Sequence, residues 1–302
     1  MQTLLLLAQT LLVSGGTVHT QVPGEAPRAA DVLVVDGRVR AVGEGLELPE
    51  GAERIDAVGL HVLPGLIDGM VHHDAEHDLL HTAAGVTVLR DHGNDPAAIL
   101  GQRERGVRDA RGGPWLSICG AVLDGHPPSS PNALVLADEH AAHALVPNLI
   151  AAQVDFLSVQ SNLGAAAWRE VLALAHAAGS ESERAPLQVW GPRPRALSLA
   201  ELLAGGQDGL VFLDGLLPEG RGWEDVGEDE LESAARAAAD ADLRVTPMLG
   251  ATARLMRHQD AGLEALAELG PQYTRLWRAE LRARRAGAAE DFTERARTVL
   301  DT

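Results

Sequence analysis

The stretch His61-Val62-Leu63-Pro64-Gly65-Leu66-Ile67-Asp68-Gly69-Met70-Val71-His72 decides how the chain folds. Its apolar run ending at Ile67 and Asp68 reads as a buried strand, and residues two apart on a strand point to the same face. Met70 and His72 therefore project together. From His61 onward, apolar runs alternate with helical patterns, the signature of βα units around a parallel sheet. The predicted strands are Val62 to Ile67, Val86 to Leu89, Trp115 to Cys119, Phe156 to Val159, Leu187 to Trp190, Leu210 to Leu213 and Arg244 to Met248. Helices are expected in the gaps: Ser198 and Glu201 form a capping box, and Glu228 to Ala241 opens with acidic residues that favour the helix dipole. Two arginine-rich helices, roughly 271 to 286 and 290 to 300, are expected to be solvated on one face.

Ahead of this stretch the pattern changes to short strands and turns. Leu11 to Val18, Asp31 to Val35 and Arg38 to Val42 read as strands, with Asp36-Gly37 as a hairpin signal. The apolar opening Leu4-Leu5-Leu6-Leu7 has no preceding positive residue and no small-residue cleavage site behind it, so it reads as strand rather than signal peptide. It is too short to span a bilayer, which takes about 20 apolar residues. Residues 1–57 are expected to form an N-terminal β unit and residues 58–302 an α/β domain.

Composition narrows the function. A net charge of -18 across 302 residues argues against a nucleic-acid or anionic-membrane surface, since phosphates demand a basic footprint. The single Cys119 rules out an internal disulfide framework and fits a cytoplasmic protein. All 25 basic residues are arginine. Without lysine there is no carboxylated bridge between metals, no Schiff base and no depressed-pKa amine.

Several landmarks occur in order: Asp36-Gly37-Arg38, Ala41-Val42-Gly43, Pro64-Gly65-Leu66-Ile67-Asp68, Ala84-Gly85-Val86-Thr87 with Arg90-Asp91, Arg195-Ala196-Leu197-Ser198, Leu213-Asp214-Gly215 and Val245-Thr246-Pro247. Together they resemble the imidazolonepropionase-like and prolidase-like branch of the amidohydrolase superfamily. The resemblance implies a (β/α)8 TIM-type barrel beside a β-sandwich, with metal ligands at the C-terminal mouth of the strands. It also implies where this chain departs. The first histidine of the opening metal-binding pair falls on Met70, leaving His72; the bridging lysine falls on Ser158; the histidines of the fifth and sixth strands fall on Pro192 and Phe212. A thioether is no substitute for imidazole on zinc. The aspartate of an eighth strand has no counterpart before Thr302, so the barrel is expected to be incomplete, with about seven βα units beside a small sandwich-like unit.

The remaining constellations are modest. His72, His73, Asp74, His77 and His81, with Asp91 and His92 beyond the next strand, form the one dense set of potential ligands, and if residues 73–82 are helical, His73, His77 and His81 share a face. Solvation or capping is the plainer role for these histidines, and for Asp91 a partnership with Arg90 or a turn cap. His126, in a Pro-rich loop, falls where relatives carry a histidine over the site. His140 and His143 read as a solvated helix face. Ser158 and Ser161 lack the nucleophile-elbow motif.

The expected function is that of a non-catalytic amidohydrolase relative, binding a small ligand or a partner subunit and requiring no cofactor. The alternative is a metal-dependent hydrolase of amide or cyclic amide C–N bonds, with zinc or another divalent metal on a non-standard His/Asp site. Open strand edges predict a homo-oligomer or association with a full-length homologue.

Overall fold

A computed structural model describes residues 10–109, 113–178, 185–222 and 225–249, so the arginine-rich segments expected at 271–286 and 290–300 lie outside the described residues. The chain divides into two compact units between Leu66 and Ile67. In the first, β1 (Leu11–Val18) pairs antiparallel with β2 (Arg28–Val35), which pairs antiparallel with β3 (Arg38–Gly43). Asp36 and Gly37 join them with φ of 51° and 71°, as a type I′ turn requires. Two strands that the alternation did not announce, β4 (Glu53–Asp56) and β5 (His61–Val62), pair parallel with β1. Val18, Ala30 and Val32 form the small core of this unit.

The opening stretch thus contains two strands rather than one. Leu63-Pro64-Gly65 separates β5 from β6 (Leu66–Val71), because proline offers no N–H to a ladder. Leu66 and Ile67 are 59% and 68% exposed, which corrects the reading of that run as buried. An apolar side chain is a poor indicator of burial when taken singly.

The second unit is α/β. β6 is followed by a 3-10 turn (Ala75–His77) and α1 (Asp78–Ala83), then β7 (Val86–Asp91), α2 (Pro96–Asp109), β8 (Trp115–Ile118), a short parallel pair β9 (Leu123–Asp124) and β10 (Leu134–Val135), and α3 (Glu139–Ala151). Next come β11 (Phe156–Ser158), α4 (Ala165–Ala177), β12 (Gln188–Gly191), α5 (Leu199–Gly205), β13 (Gly209–Val211), α6 (Glu228–Asp240) and β14 (Arg244–Thr246). Strands β6-β7-β8 make one sheet and β11-β12-β13-β14 a second, parallel throughout. Asp155 links them: its N–H donates to the Ile118 carbonyl at 2.8 Å and its carboxylate accepts from the Ile118 N–H at 2.9 Å. The six helices, all among the described residues, include none long and apolar enough to cross a membrane.

Period-2 alternation sorts the side chains. Leu157, Val159, Val189 and Leu210 point away from the sheet interior into the main core, where Ala142, Val146 and Leu149 of α3 and Trp168, Val171 and Leu172 of α4 meet them. Burying each such side chain contributes about 1.5–3 kcal/mol. The expected capping box is present: Ser198 Oγ accepts from Glu201 N–H and the Glu201 carboxylate accepts from Ser198 N–H.

A buried amide ties the helical layer to the strands. Trp168 Nε1 donates to Gln207 Oε1 at 2.9 Å, and Gln207 Nε2 donates to the Gly191 and Gly209 carbonyls at 3.1 and 2.9 Å. Replacing Gln207→Leu strands an indole N–H and two carbonyl lone pairs in an apolar layer. The expected loss is about 2–4 kcal/mol of unfolding free energy, read from the urea midpoint; a change below about 0.5 kcal/mol, the level of an ordinary surface substitution, would contradict the network.

Candidate functional site

The other phase of the same strands faces inward. Met70 from β6, Cys119 just past β8, Phe156 from β11, Trp190 from β12, Val211 from β13 and Met248 beyond β14 form one apolar cluster. Leu89, Leu116 and Ile118 instead pack on Ile99 of α2, so their neighbours Arg90 and His92 belong to the inward phase.

Arg90 is the unexpected member. Its guanidinium lies over the Trp190 ring, 3.6 Å from the centroid, and 5.6 Å from that of Phe156. Nε donates to the Gly69 carbonyl at 3.0 Å and a terminal nitrogen to Thr246 Oγ1 at 3.1 Å. One side chain from β7 thus touches β6, β12 and β14. Burial lowers its pKa to about 10, so it remains a cation at neutral pH. Gly209 makes room for the indole, because a β-carbon there would lie 2.1 Å from Trp190 Cε3. The clue in the sequence was a charge in the inward phase of a buried strand, a placement that demands partners.

His92, 1% exposed, lies against Phe156 with ring centroids 4.9 Å apart. Its Nδ1 is 3.2 Å from Ser158 Oγ, Nε2 is fully buried without a well-formed hydrogen bond, and the Gly69 carbonyl lies close enough to act weakly on the ring. Burial, reinforced by the nearby Arg90 and His72 and opposed by the Gly69 carbonyl, pushes this imidazole down to about 3. A ring so reluctant to take a proton is a poor general base, and a Ser158–His92 pair therefore makes no nucleophilic dyad.

The sequence-predicted ligands do not converge. His72 is exposed, with Nδ1 2.9 Å from the Gly93 carbonyl. His73 is buried and engaged at both nitrogens, with Gln102 at 2.7 Å and Asp78 at 2.8 Å. Asp91 is buried and is not hydrogen-bonded to Arg90; it accepts from the N–H groups of His73 and Gly93 and from Asn94 Nδ2. It caps the turn after β7. His77 sits in the 3-10 turn and His81 in α1, so with His73 upstream of both the three do not lie along one helix. His126 is exposed beyond β9, in a loop pinned by the buried Asp124 carboxylate through Gly125, Ser129 and Asn162. His140 and His143 are exposed; the latter pairs with Glu170.

No protein-family model matches the chain. Over 75 residues, 23% of the chain, it is 41% identical to a dihydroorotase of Geobacter metallireducens, covering 18% of that enzyme. Over 84 residues, 28% of the chain, it is 44% identical to an adenine deaminase of Deinococcus radiodurans, covering 15% of that protein. The chain thus matches less than a fifth of the length of these curated relatives. Among solved structures, bottromycin amidohydrolase superposes with a TM-score of 0.68 at 21% identity, covering 97% of this chain and 64% of that one. An Xaa-Pro dipeptidase superposes with a TM-score of 0.62 at 13% identity, covering 83% and 69% respectively. These two solved structures are an amidohydrolase and an Xaa-Pro dipeptidase, and the chain shares their fold.

The divalent metal implied by the resemblance does not fit the donors present. Met70 packs in the apolar cluster, Ser158 is engaged by His92, Pro192 has no free nitrogen and Phe212 has no donor. Among the described residues, no three His, Cys, Asp or Glu side chains come together to hold an ion.

Buried neutral His92 also sets a pH dependence. Folded His92 stays neutral down to about pH 3, whereas the unfolded imidazole takes up a proton below about 6.5. The unfolded state therefore binds more protons in that window, and stability falls as pH drops from about 6.5 toward 3, by up to ~1.4 kcal/mol per unit. Urea midpoints from pH 4.5 to 7.5 are expected to decline less steeply on acidification in His92→Phe than in the parent; parallel slopes would contradict a neutral buried ring.

Proposed function

We propose that this chain is an amidohydrolase-like protein released from metal-dependent hydrolysis, whose strand mouth serves to bind a small ligand or a partner subunit. Its seven inward-phased strands, β6, β7, β8, β11, β12, β13 and β14, are read as the staves of a (β/α) barrel with about seven units among the described residues. The observation that carries the reading is the chemistry at the strand ends. Met70, Ser158, Pro192 and Phe212 stand where the resemblance places metal donors, and two of them have been absorbed into other interactions, Met70 by the apolar cluster and Ser158 by His92.

Phe212 adds support of a different kind. Its φ of 72° is rare for an aromatic residue and more tolerable for histidine, asparagine or aspartate. A position that kept such a backbone after losing a polar side chain is consistent with an inherited site whose chemistry was abandoned. A second copy of the chain or a full-length homologue is the kind of subunit partner this reading implies, with the cytoplasm as the compartment.

Elemental analysis of the purified protein after mild chelation and desalting tests the reading. The expected content is below about a tenth of an equivalent of zinc, iron, manganese or nickel per chain. Near one equivalent, lost in His72→Ala, would replace this reading with that of a C–N hydrolase using the His72, His73, His77 and Asp91 region.

A further inference from the structure

Two histidines meet on the N-terminal β unit, away from the strand mouth. His19 Nε2 lies 2.8 Å from His61 Nδ1, with the ring centroids 5.0 Å apart and the planes tilted by 54°. The backbone holds both rings in register. β1 and β5 run parallel with Thr17 opposite His61 and Val18 opposite Val62, and the His19 N–H continues the ladder by donating to the Val62 carbonyl at 2.9 Å. His19 stands two residues beyond Thr17, so its side chain leaves the sheet on the same face as that of His61. Gly16 lets the two segments approach, since a β-carbon there would lie 2.7 Å from Val62 Cγ2.

The plain role of the pair is one N–H···N hydrogen bond at the surface. Its spacing also fits the edge of a metal site. Two nitrogens bound at about 2.0–2.1 Å to one ion lie about 2.8–3.0 Å apart when they meet it at a right angle, and about 3.3 Å apart in a tetrahedron. The 2.8 Å separation matches the right-angled edge, which copper(II) and nickel(II) prefer and zinc does not. The neighbouring carboxylates are engaged elsewhere. Glu25, the first after His19, accepts from Thr20 Oγ1 and pairs with Arg28, while Asp56, the last before His61, accepts from the Val58 N–H at 3.0 Å. No third His, Cys, Asp or Glu among the described residues joins the pair, so water would complete the coordination.

We propose that His19 and His61 form a bidentate surface site for a copper(II) or nickel(II) ion, which staples the two-residue β5 to the end of β1. In the neutral pair one of the facing nitrogens carries the proton between them. Capture of the ion sends that proton, through water, to the outer nitrogen of its own ring and leaves a lone pair on His19 Nε2 and on His61 Nδ1. No net proton is released. The rings then swing until both lone pairs converge, a motion that the exposed His61 and half-buried His19 permit. This site lies in the first compact unit and is independent of the proposed function. With only two protein ligands it gives up its ion to a chelator, so a metal content near zero after chelation does not bear on it.

The test is isothermal titration of the chelator-treated full chain with nickel chloride, paired with electron paramagnetic resonance after one equivalent of copper(II). The expected result is a saturable nickel site, weakened at least about tenfold in both His19→Gln and His61→Gln and unchanged in His143→Gln on α3. Zinc should bind more weakly than nickel. The copper spectrum should show two coordinated nitrogens in the unaltered protein and one in either variant, and nickel should raise the melting temperature of the unaltered protein alone. Equal nickel binding in the unaltered protein and both variants would overturn the site, as would no saturation up to about 1 mM. Loss in only one variant would identify a lone histidine ligand and overturn the bidentate assignment. Should one variant fail to fold by circular dichroism, the other variant and the copper spectrum of the unaltered protein decide, a single coordinated nitrogen being the overturning result.

Discussion

A guanidinium laid flat on an indole is the contact on which the interior of this α/β unit depends. Arg90 reaches from β7 to Gly69 on β6, to the Trp190 face on β12 and to Thr246 on β14. Hydrogen bonds from a charged donor are worth about 1.5–3 kcal/mol each, and a partly desolvated cation–π contact about 0.5–2. These gains offset the cost of removing the cation from water, a cost visible in its lowered pKa. Other features follow from the same arrangement. Gly209 has to be small beneath the indole, and a nearby positive charge discourages protonation of His92.

The interior also suits a methionine at position 70, where the resemblance implies a histidine ligand. A histidine ligand at a strand mouth is held by its metal and its outer hydrogen bonds. A flexible, polarizable thioether fills an irregular apolar gap without needing such partners. Met70 and Met248 both lie against Cys119, Phe156, Trp190 and Val211. Ser158 is engaged differently, its hydroxyl 3.2 Å from an imidazole that follows a strand of the neighbouring sheet.

Much of the framework was legible in advance because it rests on local rules. The Asp36-Gly37 turn, the Ser198–Glu201 box and the strand runs near Val86, Trp115, Phe156 and Gly209 follow from turn chemistry, capping and period-2 burial. The strands β4 and β5 were not legible, since Glu53–Asp56 is exposed along its length and carries no alternation. The separation of β5 from β6 was signalled by Pro64, but an apolar run was allowed to outweigh it. At the candidate site, the resemblance singled out Met70, Ser158, Pro192 and Phe212, but nothing in the sequence announced the Arg90–Trp190 stack. Those two residues lie on strands far apart in sequence, and their meeting depends on how the two sheets face each other.

The histidine cluster shows the converse. Residue types at suggestive spacing, His73, His77 and His81, imply a shared helical face only if a helix covers them all, and α1 begins at Asp78. Before it, Asp74 caps a 3-10 turn by accepting from the Glu76 N–H, which directs the chain away from a continuous helix. His73 is then drawn inward to Gln102 and Asp78, and its backbone N–H to Asp91. His73 and Asp91 spend their donors and acceptors holding this loop in place. A metal would have to displace those bonds before gaining its own, which raises the cost of a relocated site.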